Sequence, residues 1–329
     1  MLQSELVVVN KISYKGVDKE MTQQNENNHV TSLHEIVGAT FKARISGATE
    51  VKKFKALING NAALLRDYEI FASQQGIRVR ALDSSKACMV DWEIKSKFFE
   101  SYEFDSSFPE IAICVTADDI NHSIDRAVDV IELTLLPRSG EPVLQILSEG
   151  KVNKKENLRL LPPMAEKVRM VSLTPESTCM IQAEELIQNI RQLFKAKTNI
   201  YRMSIWSIRN EVQISENKHG EPVIYPRGLV IEGKNDESEI FLEMPGGQPD
   251  EYSVWSIYSK YGFDKVCINT SYIREFIKFF YKADDVKVCI SLHRPIVFEV
   301  NDPDGRIVRL IQAPMVESWE VKEREGREE

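Results

Sequence analysis

An internal repeat constrains this chain more than any other feature, because two different units recur in the same order. Residues 41–80 read as a strand (FKARI), a helix (ATEVKKFKALIN) and a strand pair (LRDYEIFAS and IRVRALD) around a Gln-Gln-Gly turn. Residues 179–214 repeat that order as CMIQ, AEELIQNIRQLFKA, NIYRMSIWSI and VQIS. A strand–helix–strand unit spans 112–136 (AICVTADDINHSIDRAVDVIELTLL) and recurs at 266–292 (VCINTSYIREFIKFFYKADDVKVCISL). Thr116 and Thr270 stand where its helix would be capped. Apolar residues alternate on the strands and recur at helical spacing between them. The pattern predicts an α+β fold of two similar domains, each with two helices packed on antiparallel sheets.

The punctuation sets the boundaries. Residues 1–38, rich in Asn, Gln and Lys, fall outside the repeat and read as a mobile extension. The first domain is expected over 39–150 and the second over 176–317. The polar stretch 151–175, broken by Pro162-Pro163, reads as an extended connector, and 318–329 as a charged tail. The second copy also carries an enlarged segment, 215–252.

Composition narrows the function classes. Hydrophobic content of 43% and charged content of 28% suit a soluble globular protein. The longest early aliphatic run, Leu6 to Val9, is far too short for a membrane span, and the residues before it lack the basic n-region of a signal peptide. Five scattered cysteines (Cys88, Cys114, Cys179, Cys267 and Cys289) form no CxxC pair, which fits buried thiols in a reducing compartment. The sequence offers no catalytic constellation, no metal site and no cofactor motif. Asp118-Asp119 and Asp284-Asp285 adjoin helix ends, and the first pair suits the positive end of a helix dipole. Gly246-Gly247 lacks the Lys-Ser/Thr sequel of a P-loop, and Asp302 to Gly305 reads as a hairpin turn. A binding protein is expected, not an enzyme.

The net charge of −8 argues against nucleic acid unless positive charge is segregated onto one surface. The helices supply that segregation. In 272–282, Ile273, Phe276, Ile277 and Phe280 make an apolar stripe, with Arg274, Lys278 and Lys282 opposite. In 183–197, Leu186, Ile187, Ile190, Leu193 and Phe194 are apolar, while Gln188, Arg191 and Lys195 face away. In 48–59, Val51, Phe54 and Ile58 face inward, with Lys52 and Lys53 outward. The fourth helix departs from this: Asp118, Asp119, Asp125 and Asp129 outweigh His122 and Arg126. No side-chain arrangement suggests a groove-reading helix, so any contact with duplex would be sequence-independent and salt-sensitive.

The stretch GIRVRALDSSKACMVDWEIKSKFFESYEFD (76–105) resembles the proliferating cell nuclear antigen family of archaeal and eukaryotic sliding clamps. Its Leu-Asp-Ser-Ser element (82–85), the Phe99–Tyr102 spacing, the FKARI and VKKF start and the RLIQAPMVE ending (309–317) carry the likeness. It covers about 40–317 and is weakest over 104–175.

The resemblance implies a DNA-clamp fold: three chains, identical or different, closing into a ring with helices inside and sheets outside. It implies that Lys52, Lys53, Arg191, Lys195, Arg274, Lys278 and Lys282 face duplex DNA. It also implies a pocket for PIP-box peptides of DNA polymerase, flap endonuclease and ligase, with a clamp loader opening the ring. Matching pocket positions are Leu82, Lys86, Ala87, Met89, Leu160, Leu161, Pro295, Ile311, Ala313, Pro314 and Met315, with Val168 and Met170 from the connector. Lys86 stands where eukaryotic clamps usually carry His, and His122 and Asp125 where members often carry Lys. A clamp of this kind is cytoplasmic and nucleoid-associated in an archaeon and nuclear in a eukaryote. The alternative is a clamp-like scaffold, or an ancillary subunit of a heteromeric ring with little DNA contact of its own.

Overall fold

Strands with alternating burial, each followed by a turn or short helix, fold the first half into eleven elements. They run β1 (Thr40–Ser46), α1 (Ala48–Leu64), β2 (Asp67–Ser73), β3 (Gly76–Leu82), β4 (Cys88–Lys95) and β5 (Ser101–Asp105). Then come β6 (Glu110–Thr116), α2 (Ala117–Ile124), β7 (Val130–Leu136), β8 (Val143–Glu149) and β9 (Lys154–Arg159). The second half repeats them as β10 (Ser177–Gln182), α3 (Ala183–Lys195) and β11 (Asn199–Trp206), then a short pair, β12 (Ser215–Glu216) and β13 (Pro222–Val223). It resumes with β14 (Gly228–Lys234), β15 (Glu239–Pro245), β16 (Val254–Ser259), β17 (Phe263–Cys267), α4 (Thr270–Phe279), β18 (Asp285–Ile290), β19 (Ile296–Asn301) and β20 (Arg306–Gln312). This computed structural model describes residues 38–136, 141–164, 167–195, 199–206, 215–216, 222–223, 228–234, 239–249, 251–260, 263–292 and 294–315.

The sheet topology makes the duplication explicit. The first half forms a five-stranded sheet, β5-β1-β7-β8-β9, and a four-stranded array, β6-β2-β3-β4. The second half forms β16-β10-β18-β19-β20 and β17-β11-β14-β15, the same orders in matching strands. Antiparallel pairing of β20 with β4, from Arg306 opposite Ile94 to Gln312 opposite Cys88, fuses two of these into one nine-stranded sheet. Gly76 and Gly228 occupy matching places and share a constraint. Each has positive φ, 139° and 157°, and a Cβ there would collide with the carbonyl oxygen of Ile94 or Met244 across the ladder.

Three expectations are corrected. The partner of β11 is β14, not VQIS at 211–214, which lies outside the described residues; the extra length of the second half therefore falls between β11 and β14. Lys154–Arg159, expected in the connector, pairs with β8 as a sheet strand, so the connection to β10 begins at Leu160. The cap of α4 is Asn269, whose side chain accepts from Ser271 N, because Thr270 is already helical; Thr116 holds the cap position of α2 but makes no side-chain cap bond. The extension 1–37 and the tail 316–329 lie outside the described residues.

One apolar core runs through both halves, filled by Phe41, Phe54, Trp92, Ile113, Phe276 and Phe298 among others. The helices share it, so their buried faces turn toward the sheets. They form a row. α1 packs against α2 on one side and α4 on the other. The guanidinium of Arg274 on α4 lies 4.7 Å from the ring of Phe194 on α3. The α1–α4 crossing is close because Gly60 has no side chain there: the ring of Phe279 fills the space a Cβ would need.

Candidate functional site

The outer side of the helix row carries the basic residues. Lys52, Arg191, Lys195, Arg274 and Lys278 are exposed, and Lys282 follows in the turn after α4, also exposed, with φ 55°. Lys278 pairs with Glu275 one turn earlier. Lys53 does not join them. Its ammonium reaches 2.6 Å from Asp304 and 3.4 Å from Asp302 in the β19–β20 turn, and its side chain is only 13% exposed. The same turn buries Arg306, fully enclosed and paired with Asp302. Lys53 is therefore a tie between the two halves, not an outward-facing cation. Asp118 and Asp119 on α2, Asp125 at its C-terminal cap and Asp129 before β7 are all exposed, so the acidic character of that region stands.

On the opposite side, the nine-stranded sheet presents two parallel rows. Cross-strand partners Leu82, Met89, Ile311, Val297 and Cys289 make an apolar row across β3, β4, β20, β19 and β18. Two residues along each strand the row is charged: Arg80, Asp91, Arg309, Glu299 and Lys287. These are joined by Arg80–Asp91 at 2.9 Å, Arg309–Asp91 at 3.9 Å, Arg309–Glu299 at 2.8 Å and Lys287–Glu299 at 3.4 Å. Val168, Met170 and Leu173 of the connection pack onto the apolar row. Between them lies a groove of about 320 Å³, reached by Met170, Leu173, Cys289, Pro295, Val297 and Ile311. Burial drives the Cys289 thiol up to about 11, aided by nearby Glu299, so it is a packing group and not a nucleophile.

The Leu-Asp-Ser-Ser element anchors one end of this surface. The Asp83 carboxylate accepts from the Ser85 hydroxyl, from the Tyr272 hydroxyl on α4 at 2.7 Å, from Cys88 N at 2.7 Å and from Ser85 N at 3.2 Å. Burial alone would raise Asp83, but these hydrogen bonds outweigh it and hold the group below its ordinary range. Lys86 takes positive φ (59°) in the same turn. The final described segment is laced to both halves, through Ala313 N to Ala87 O and Met315 N to Cys267 O. Among the described residues, no group of three His, Cys, Asp or Glu could hold a metal ion, and no helix is long and apolar enough to cross a membrane.

Residues 40–157 match the family model "Proliferating cell nuclear antigen, N-terminal domain". Curated relatives include the DNA polymerase sliding clamp of Methanococcus vannielii, 22% identical over 273 residues, covering 81% of this chain and 97% of that one. The DNA polymerase sliding clamp of Pyrococcus horikoshii is 23% identical over 275 residues, covering 81% and 96%. Among solved structures, the proliferating cellular nuclear antigen of Entamoeba histolytica superposes with TM-score 0.65 at 16% identity, covering 84% of this chain and 99% of that one. A PCNA2-PCNA3 complex from Sulfolobus tokodaii gives TM-score 0.67 at 12% identity, covering 84% and 100%. Residues 40–157 thus carry the N-terminal domain of the proliferating cell nuclear antigen family, and the chain is similar to sliding clamps over most of its length. Its fold is the α+β clamp fold.

Within this clamp the expected pocket residues divide. Met89 and Ile311 meet in the apolar row, Pro295 lines the groove, and Ala87 and Ala313 touch at its end. Leu82 extends the row and is 38% exposed. Lys86, Pro314 and Met315 lie on the bordering turn and terminal segment. Leu160 and Leu161 do not belong. Leu160 is buried in the main core, and Leu161 N bonds Cys114 O on β6, at the far edge of the sheet. The connector residues over the row are Val168, Met170 and Leu173. Sequence reading missed Cys289, Val297 and Leu173. The signal for the first two was an apolar residue at an outward strand position whose neighbour two places away is charged.

Proposed function

We propose that this chain is a DNA polymerase sliding clamp that closes with further chains into a ring around duplex DNA and tethers partner enzymes through peptides held in the groove. The observation that carries the reading is a join left incomplete. Within the chain, β20 pairs with β4; their duplicates, β9 and β15, are sheet edges. A second copy offering β15 to β9 would repeat the join and remove both edges. Transferring the β20–β4 register sets Lys155 opposite Phe241 of the second copy and Glu156 opposite Ile240. Phe241 is 44% exposed in the single chain. The edges also complement in charge, with Lys154, Lys155 and Arg159 on β9 and Glu239 and Glu243 on β15. Three chains, as the family resemblance implies, would close six halves around a hole lined by the helix rows.

Lys52, Arg191, Lys195, Arg274, Lys278 and Lys282 would then meet phosphates without reading bases, the weak, salt-sensitive contact that permits sliding. The role is binding, not catalysis: topology retains the ring, and a bound peptide raises its enzyme's effective concentration at the primer end. A second reading, an ancillary subunit of a heteromeric ring, is favoured by the acidic exposed face of α2. The joint replacement Lys52→Glu, Arg191→Glu and Lys278→Glu tests the main reading. Polymerase stimulation should fall while peptide binding stays; unchanged stimulation refutes the inner-face assignment.

A further inference from the structure

Three cations, Lys287, Arg294 and Arg309, line the groove, against one carboxylate, Glu299. That carboxylate is already engaged by both Lys287 and Arg309, and Asp91 is shared between Arg80 and Arg309. Arg294 lines the groove and is exposed, and Arg169 is exposed on the connection next to Met170, which also lines the groove. The chain as a whole is acidic, so this basic groove runs against its net charge of −8.

We infer that the groove selects acidic peptides: an apolar anchor enters the groove beside Ile311, Val297 and Cys289, and flanking carboxylates lie over the adjacent charged row and Arg294. The inference rests on the peptide-groove reading and deepens it by naming the partner's chemistry. The apolar row supplies affinity through buried area, and the cations choose between peptides of equal apolar content. A Lys- or Arg-flanked peptide would meet like charge at each of these positions.

The test uses two synthetic peptides with the same apolar anchor residues, one flanked by three Glu and the other by three Lys. Binding to the full-length chain is read by fluorescence anisotropy at low salt and at about 1 M salt, where screening acts within about 3 Å. The Glu-flanked peptide should bind about tenfold tighter at low salt, from several exposed pairs each of modest worth, and the gap should close at high salt. Arg169→Glu with Arg294→Glu should erase or invert the preference. Equal binding, or a preference for the Lys-flanked peptide, overturns the acidic selection and leaves the groove reading standing. Failure of both peptides to bind overturns the groove reading and the selection together.

Discussion

Gly60 and Phe279 form the contact through which the two halves set the spacing of their helices, so a double-mutant cycle on this pair reads the crossing directly. A Cβ at Gly60 would reach 2.7 Å from Phe279 Cδ2 and come closer still to Cε2 and Cζ. Phe279 is fully buried and has nowhere to retreat. Gly60→Ala should gain about 1 kcal/mol of helix propensity and lose about 1–3 kcal/mol to overpacking, a net loss of up to about 2 kcal/mol. Phe279→Ala alone should cost about 3–5 kcal/mol through lost burial and the cavity left behind. In the Phe279→Ala background the clash is gone, so adding Gly60→Ala should stabilise by about 1 kcal/mol. The expected coupling is about 1–3 kcal/mol, measured by urea unfolding at equilibrium with the buried Trp92 as probe. If Gly60→Ala has the same effect in both backgrounds, the helices do not cross as described.

Further predictions concern the ties and the edges. Asp83 is held below its ordinary pKa, so its contribution should be full above the unfolded value of about 3.9 and fade as pH falls through the folded one. Asp83→Asn should lower stability by about 1–3 kcal/mol at neutral pH, with a gap to the parent that narrows in acid melts; a gap constant with pH would refute the assignment. Lys53→Met should leave Asp304 and Asp302 without their ammonium partner and weaken stability, with little change in the salt dependence of DNA binding; a lost phosphate contact would instead reduce that slope by about 1. Paired cysteines at Lys155 and Phe241 should oxidise to cross-linked multimers, and a monomer that resists oxidation would refute the β9–β15 register.

Much of this fold is legible in the sequence because its duplicated units keep their periodicity: VKKFKALIN and REFIKFF each show one apolar stripe, and the strands alternate. Lys53 was misread because a helical wheel shows that a lysine faces out but not that Asp302 and Asp304 wait there, some 250 positions later in the chain. Leu160 and Leu161 misled for a related reason. They are apolar and close to the diprolyl break, yet β9 continues past the expected domain end and carries them to β6. The apolar row is invisible to any single strand, since it forms only when β3, β4, β20, β19 and β18 align. The strand after β11 was misplaced because VQIS alternates and stands nearer to β11 in the chain than GLVIEGK, a continuously buried strand that only its pairing with β11 identifies.

Enclosure of duplex DNA is a topological property, so a topological assay tests it more directly than affinity does. The chain, together with any paralogues and the cognate loader and ATP, is loaded onto a nicked circular plasmid, separated from free protein by gel filtration in high salt, and the plasmid is then cut once. Enclosure predicts that the protein co-elutes with the circle and leaves once the duplex has ends. Equal retention on circular and linear DNA, or none on the circle, would contradict it.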